Sequence, residues 1–472
     1  MLFNSIEFVL FFPLVVLAYC AMPPRGRAGL LLLASYVFYG WWKIEYVGLI
    51  LASTALDYGV GRALERGGSP ARRRALLLAS LAGNLGLLGA FKYLGLFTSL
   101  LVDLGLADRV VALLLPVGIS FYTFQSLAYT IDVYRGRLPA ERDPVRFALY
   151  VAFFPQLVAG PIERATHLIP QLRRLEVPDH DALARGGRLV LWGFYKKLVV
   201  ADVLAGYVER FFGAPEIASG SQVLLGAGFF AIQIYCDFSG YTDIARGTAR
   251  CFGIEIMKNF RRPYAAASLR DFWRRWHISL STWFRDYVYV PLGGGRAARA
   301  RVALNLLVVF TLSGLWHGAA WHFVAWGAVH GLLLVAERAV SGPAQRLRRR
   351  WLGERWPRLR HGLRVAVVLV LVLLSWILFR AESLSDALTL FARIPVDLLR
   401  DPLEGLTRTA AFFPVLFAVV MEAVEWAHER HDLTARLDRA PRALRWTVYL
   451  GLLCVILLFG SYQDQEFIYF RF

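Results

Sequence analysis

Three histidines, His317, His322 and His330, lie in the span Val302 to Ala336, which contains no Asp, Glu, Lys or Arg. Ionisable groups are costly inside a bilayer and are usually tied to function there. Imidazole, with a reference pKa of ~6.5, accepts a proton from a hydroxyl near neutral pH. His317 sits in SGLWHGAAW, where Gly314, Gly318, Ala319 and Ala320 let a neighbouring helix or a substrate approach Trp316 and His317 closely. Two readings fit: a general base, or a helix-end histidine that bonds a carbonyl and packs a bundle. His322 and His330 follow at five and thirteen residues, not the spacing of four that helical metal ligands prefer, and no carboxylate is near. Packing roles and no metal site are expected.

A fourth histidine, His277, lies in SLRDFWRRWHISLSTWFRDYVYVPLGG, Ser268 to Gly294. If this stretch is helical, Trp273, His277 and Ser281 share a face, with Arg270, Arg274 and Arg285 as cations around it. An interfacial helix with snorkelling arginines is one reading, and a re-entrant helix presenting His277 to an anionic ligand is the other. In YCDFSGYTDIARG, Asp237 and Asp243 follow a long uncharged run. Capping of a helix that restarts after a glycine break, or pairing with Arg246, is expected, and a proton relay is the alternative. No GxxxxGK[ST] and no GxSxG motif occurs, which removes nucleotide-loop and hydrolase-elbow chemistry.

The elements that must hold these residues are membrane helices. Of the 472 residues, 57% are hydrophobic, and charge-free runs recur along nearly the whole chain. A ~30 Å core takes roughly 20 helical residues, so an all-α polytopic membrane protein of about ten to twelve spans is predicted. Ile6 to Met22 lacks a basic n-region and carries Glu7, so it is read as a retained first helix. The net charge of +18 is spread between apolar runs, which favours a positive-inside pattern over nucleic-acid binding. Arg62 to Arg74, Arg338 to Arg364 and Glu422 to Arg445 are assigned to the cytoplasm, with Met1 and Phe472 outside. Glu65 to Arg74 and Ser341 to Arg360 are read as cytoplasmic loops, the latter with an amphipathic surface helix over LRRRWLGERW as the alternative, and Arg380 to Thr409 as an outside helix lying along the membrane. Cys20, Cys236, Cys251 and Cys454 form no CxxC pair.

No repeat or linker divides the chain, so one domain over 1–472 is expected, with its functional core at about 110–340. From Pro155 to Gly295, glycines, prolines and polar clusters interrupt the apolar runs. Irregular backbone at membrane depth survives only around a cavity, so broken or re-entrant helices are expected there.

The motifs FFPQLVAGPIER, QIYCDFSGYTDIARG, NFRRPY, DFWRRWHISLSTWFRDYVYVPLGG and SGLWHGAAWHFVAWG, in this order, resemble the membrane-bound O-acyltransferases. Within them the chain looks most like the bacterial branch that acetylates alginate, peptidoglycan and cellulose and transfers D-alanine to teichoic acids. MLFNSIEFVLFFPLV and FIYFRF fit the same branch. The resemblance implies a bundle around a central cavity in the bacterial inner membrane. It implies catalytic roles for His317, in the WHG motif, and His277, in the RWH motif. It also implies acyl transfer, most simply of acetyl, from a cytoplasmic thioester to a hydroxyl on an extracytoplasmic polysaccharide or partner protein. Acetyl-CoA is the expected donor, with a carrier-protein thioester as the alternative and no tightly bound cofactor. Arg270, Arg274, Arg275 and Trp316 are expected at the donor. The rivals are a proton-coupled transporter or flippase and a docking scaffold.

Overall fold

A computed structural model describes residues 1–158, 160–352, 356–398, 412–462 and 467–470, and these are helical, with no strand among them. Among the described residues, six helices are long and apolar enough to cross a membrane: Pro70–Asp103, Gly220–Arg250, Arg299–His317, Trp321–Val340, Pro357–Arg380 and Arg442–Phe459. The shorter Ile6–Ala21 is also apolar. Several of the apolar runs behind the ten to twelve anticipated spans do not become single helices. The run from Phe147 to Ile162 divides into Pro144–Ala152 and Phe154–Leu157. The run from Val110 becomes helical only at Ile119–Tyr134, after Gly118. Gly118 has φ 76°, and a Cβ there would lie 2.5 Å from the Leu157 carbonyl, so both its backbone and its neighbour require glycine.

Two compact units are formed, Met1–Phe194 with Gly240–Lys258, and Tyr195–Ser239 with Asn259–Phe472. The helix Gly220–Arg250 supplies residues to both.

In the first unit, Val47–Glu65, the second half of Pro70–Leu88, and Ile119–Tyr134 meet through a buried polar cluster. Ser80 and Thr130 donate to Asp57 Oδ1 at 2.5 and 3.2 Å, and Asn84 donates to Oδ2 at 2.9 Å. Ser53 in turn donates to Asn84 at 2.7 Å. Each of these side chains is fully buried. Mutual satisfaction offsets the cost of burying them.

The glycines of YCDFSGYTDIARG do not break a helix, as the sequence suggests, but lie inside Gly220–Arg250. They serve close packing against His180–Phe194: a Cβ on Gly193 would meet the Gly240 carbonyl at 2.6 Å, and one on Gly247 would meet the Gly186 carbonyl at 2.6 Å. Asp243 pairs with Arg246 at 3.3 Å, one of the two arrangements anticipated.

In the second unit, Arg299–His317 and Trp321–Leu352 form a hairpin whose backbones touch. A Cβ on Gly314 would stand 2.2 Å from the Phe323 carbonyl, and one on Gly327 would stand 2.2 Å from the Phe310 carbonyl. Small residues allow this approach, as in membrane helix pairs generally. Trp321–Leu352 also runs through residues read as the start of a loop, since 341–352 carry good helix formers and no proline beyond Pro343. Between Arg380 and Thr409 a helix forms at Leu384–Leu398, and residues 399–409 lie outside those described.

Candidate active site

His317 is the last residue of Arg299–His317, and Gly318 leaves the helix in extended conformation. Its imidazole is buried among rings. Ring centroids lie 5.0 Å away at Trp316, 5.3 Å at Trp326, 5.3 Å at Phe379 and 5.5 Å at Tyr469. The His277 imidazole is 6.3 Å away. His277 also lies 5.9 Å from Trp316, 4.7 Å from Phe238 and 6.1 Å from Tyr469. Two histidines separated in sequence thus share one cluster of rings with Trp316 and Tyr469.

The segment around His277 is not one helix, and the expected shared face of Trp273, His277 and Ser281 is not formed. Leu269–Arg275 ends, Trp276 is extended, and His277 takes φ 42°, ψ 56° before Ile278–Phe284 begins. That left-handed conformation costs a non-glycine residue roughly 1–2 kcal/mol. It turns the chain so that Trp276 packs on Trp376 and Phe260, at 5.0 Å each, while His277 points to Phe238 and Trp316. Burial pushes the His277 pKa down to about 3, so the ring is neutral at ordinary pH.

The arginines anticipated at the donor are arranged differently from the histidines. Arg270 and Arg274 are exposed on Leu269–Arg275, and Arg275 pairs with Asp271 at 3.0 Å. The backbone N–H groups of Leu269 and Arg270 donate to Glu337 at 2.8 and 3.1 Å, which fixes the start of that short helix. The structure therefore brings His317, His277 and Trp316 together and leaves these three guanidinium groups at a surface. His322 packs on Phe323 at 4.1 Å. His330 shares a 3.0 Å hydrogen bond with Ser375 and packs between Trp273 and Trp326, the part of a core histidine.

Sequence reasoning gave no role to Tyr469, although it lies in FIYFRF. Its segment is tied down: Asp237 Oδ2 accepts the Ile468 N–H at 2.8 Å, while Asp237 Oδ1 lies 2.7 Å from the buried Lys197 ammonium. Lys197 also pairs with Asp202 at 2.8 Å. Asp237, weighed above as a cap or relay, is thus part of a buried ion network that anchors residues beside the site.

A family profile described as MBOAT, membrane-bound O-acyltransferase family, matches residues 137–380, which hold both histidines. The chain belongs to the membrane-bound O-acyltransferase family. A probable alginate O-acetylase AlgI of Azotobacter vinelandii is 41% identical over 400 residues, covering 83% of this chain and 77% of that protein. The peptidoglycan O-acetyltransferase of Helicobacter pylori is 33% identical over 82% of this chain and 78% of its own. The teichoic acid D-alanyltransferase of Bacillus subtilis is 28% identical over 46% of this chain and 58% of its own. The protein is an acyltransferase with several membrane-crossing helices, and the transporter and scaffold readings give way to it.

Proposed function

We propose that this acyltransferase moves an acetyl group from a cytoplasmic thioester, acetyl-CoA, to a hydroxyl of an extracytoplasmic polymer, directly or through a partner protein, in the inner membrane of a bacterium. The observation that carries this reading is the pair of buried imidazoles 6.3 Å apart in an aromatic lining. His317 takes the proton of the acceptor hydroxyl as its oxygen attacks the thioester carbonyl. The C–O bond forms, the C–S bond breaks, and the thiol leaves with the proton that His317 returns. A neutral His277 has one N–H to donate to the tetrahedral oxyanion. Acylation of His317 itself before transfer would use the same groups. Arg270, Arg274 and Arg275 suit the phosphates of coenzyme A at the protein surface. The apolar rings around His317 suit a methyl group, which favours acetyl over D-alanyl from a carrier protein. Relatives named for alginate and peptidoglycan acetylation support a polymer acceptor.

The test uses protein in liposomes with acetyl-labelled acetyl-CoA on one face, comparing wild type with His317→Ala at matched folded amounts. Turnover or acetyl capture in wild type that falls ~10²–10⁴-fold in the variant is expected. Equal turnover in both would remove His317 from the chemistry, and D-alanyl transfer from a carrier thioester would overturn the choice of donor.

A further inference from the structure

His277 occupies the residue position that precedes Ile278–Phe284, where Ser, Thr, Asp or Asn ordinarily caps the first N–H groups with its own side chain. The His277 side chain makes no such capping bond. The first N–H groups of this helix go instead to Asn259. Its backbone carbonyl accepts the Ile278 N–H at 2.9 Å, and its side-chain Oδ1 accepts the Ser279 N–H at 3.2 Å. The Arg261 N–H donates to the Arg275 carbonyl at 3.0 Å, so residues 259–261 brace both sides of the His277 turn. Asn259 is fully buried.

The brace is itself held. Phe260 packs on Trp276 and on Phe238 at 5.0 Å each. Arg262, also left-handed at φ 44°, donates through Nε to Glu422 at 2.9 Å and pairs with Glu429 at 3.3 Å on Phe412–His431. A strained residue persists only where its surroundings over-determine it, and here those surroundings are one short segment.

We infer that Asn259 is the positioning residue for His277: it caps the helix in the histidine's place and holds the left-handed turn, so that the imidazole faces the His317 pocket. This rests on the proposed roles of His277 and His317. Asn259 touches neither donor nor acceptor, and its effect passes through His277 alone.

A double-mutant cycle tests it in cells lacking their own copy, complemented with wild type, Asn259→Ala, His277→Ala or the double variant. The readout is acetate released by mild base from envelope polymers, normalised to membrane-inserted protein. Asn259→Ala is expected to lower it about 10-fold or more, as misplacement of a reacting group does. In the His277→Ala background the same change is expected to do nothing further. Asn259→Asp keeps both acceptor oxygens and is expected to recover most of the loss. Should Asn259→Ala fail to accumulate, Asn259→Ser takes its place with the same expectations. Full activity of Asn259→Ala, or an equal fold-loss with and without the His277 imidazole, overturns the inference. If His277→Ala is as active as wild type while His317→Ala is not, the proposed role of His277 fails and the inference with it. If wild type releases no more acetate than His317→Ala, the proposed function fails first.

Discussion

The two units bury polar groups in opposite ways. Around Asp57, hydroxyls and an amide from two helices turn inward and satisfy a carboxylate on a third. Around His317 stand the rings of Trp316, Trp326, Phe379 and Tyr469. In the first arrangement hydrogen-bonding capacity is consumed in joining helices, so it contributes to stability. In the second, a proton-accepting group is set in apolar surroundings that strengthen whatever electrostatic contact a reacting group makes there. A buried ionisable residue is therefore read by what surrounds it.

The largest effect that could break this contrast is His317→Ala, expected to cost ~10²–10⁴-fold in acyl transfer with little change in thermal unfolding. A drop in melting temperature large enough to explain the lost activity would make His317 a packing residue. Asp57→Ala should show the reverse. It strands Ser80, Asn84 and Thr130 without their acceptor and should cost about 3 kcal/mol of stability, while activity per folded molecule is kept. Loss of activity at unchanged stability would move Asp57 out of the structural class.

A smaller test lies within the second unit. Ser375→Ala removes the His330 partner and should cost about 1 kcal/mol without changing acyl transfer, which separates His330 from His317 on the same helical hairpin.

Two further effects are in pH and have opposite signs. The folded pKa of His277 is lowered by burial to about 3, so between pH 6.5 and 3 the unfolded chain binds a proton that the folded one refuses. Stability should fall with acid across that window, and less steeply in His277→Gln, as thermal unfolding against pH would show. His167, bonded to Glu163 at 2.8 Å, has its pKa raised chiefly by that hydrogen bond. Its contribution is complete below about 6.5 and lost as pH rises through the raised value. The group is half-exposed, so the change should be slight. A flat profile in His167→Gln beside a sloping wild type would confirm it.

That His317, His277 and Trp316 belong to one candidate site was legible from their motifs, and their geometry was not. His317, His277 and Trp316 stand in compact motifs that name themselves by local sequence. The turn at His277 was invisible because the group that holds it, Asn259, lies 20 residues before Ser279, and helical periodicity alone argued for a continuous helix. Tyr469 lies far along the chain, and only tertiary packing brings it to the histidines. Gly240 and Gly247 were misread as a break because glycine signals equally a bend or a close approach, and a helix partner decides between them. The broken runs could not be told from straight helices, because composition reports burial in apolar surroundings whether or not a segment is straight.

The contact between Arg299–His317 and Trp321–Leu352 has a consequence for inheritance. Gly314 and Gly327 each face the other helix's backbone with no room for a methyl group, and Gly314 lies three residues before His317. A survey of all single substitutions should find these two positions as intolerant as the histidine itself, although neither can take part in any reaction. Variation that retunes this enzyme for a new acceptor must therefore arise outside the hairpin, which is transmitted from one descendant to the next as a fixed block.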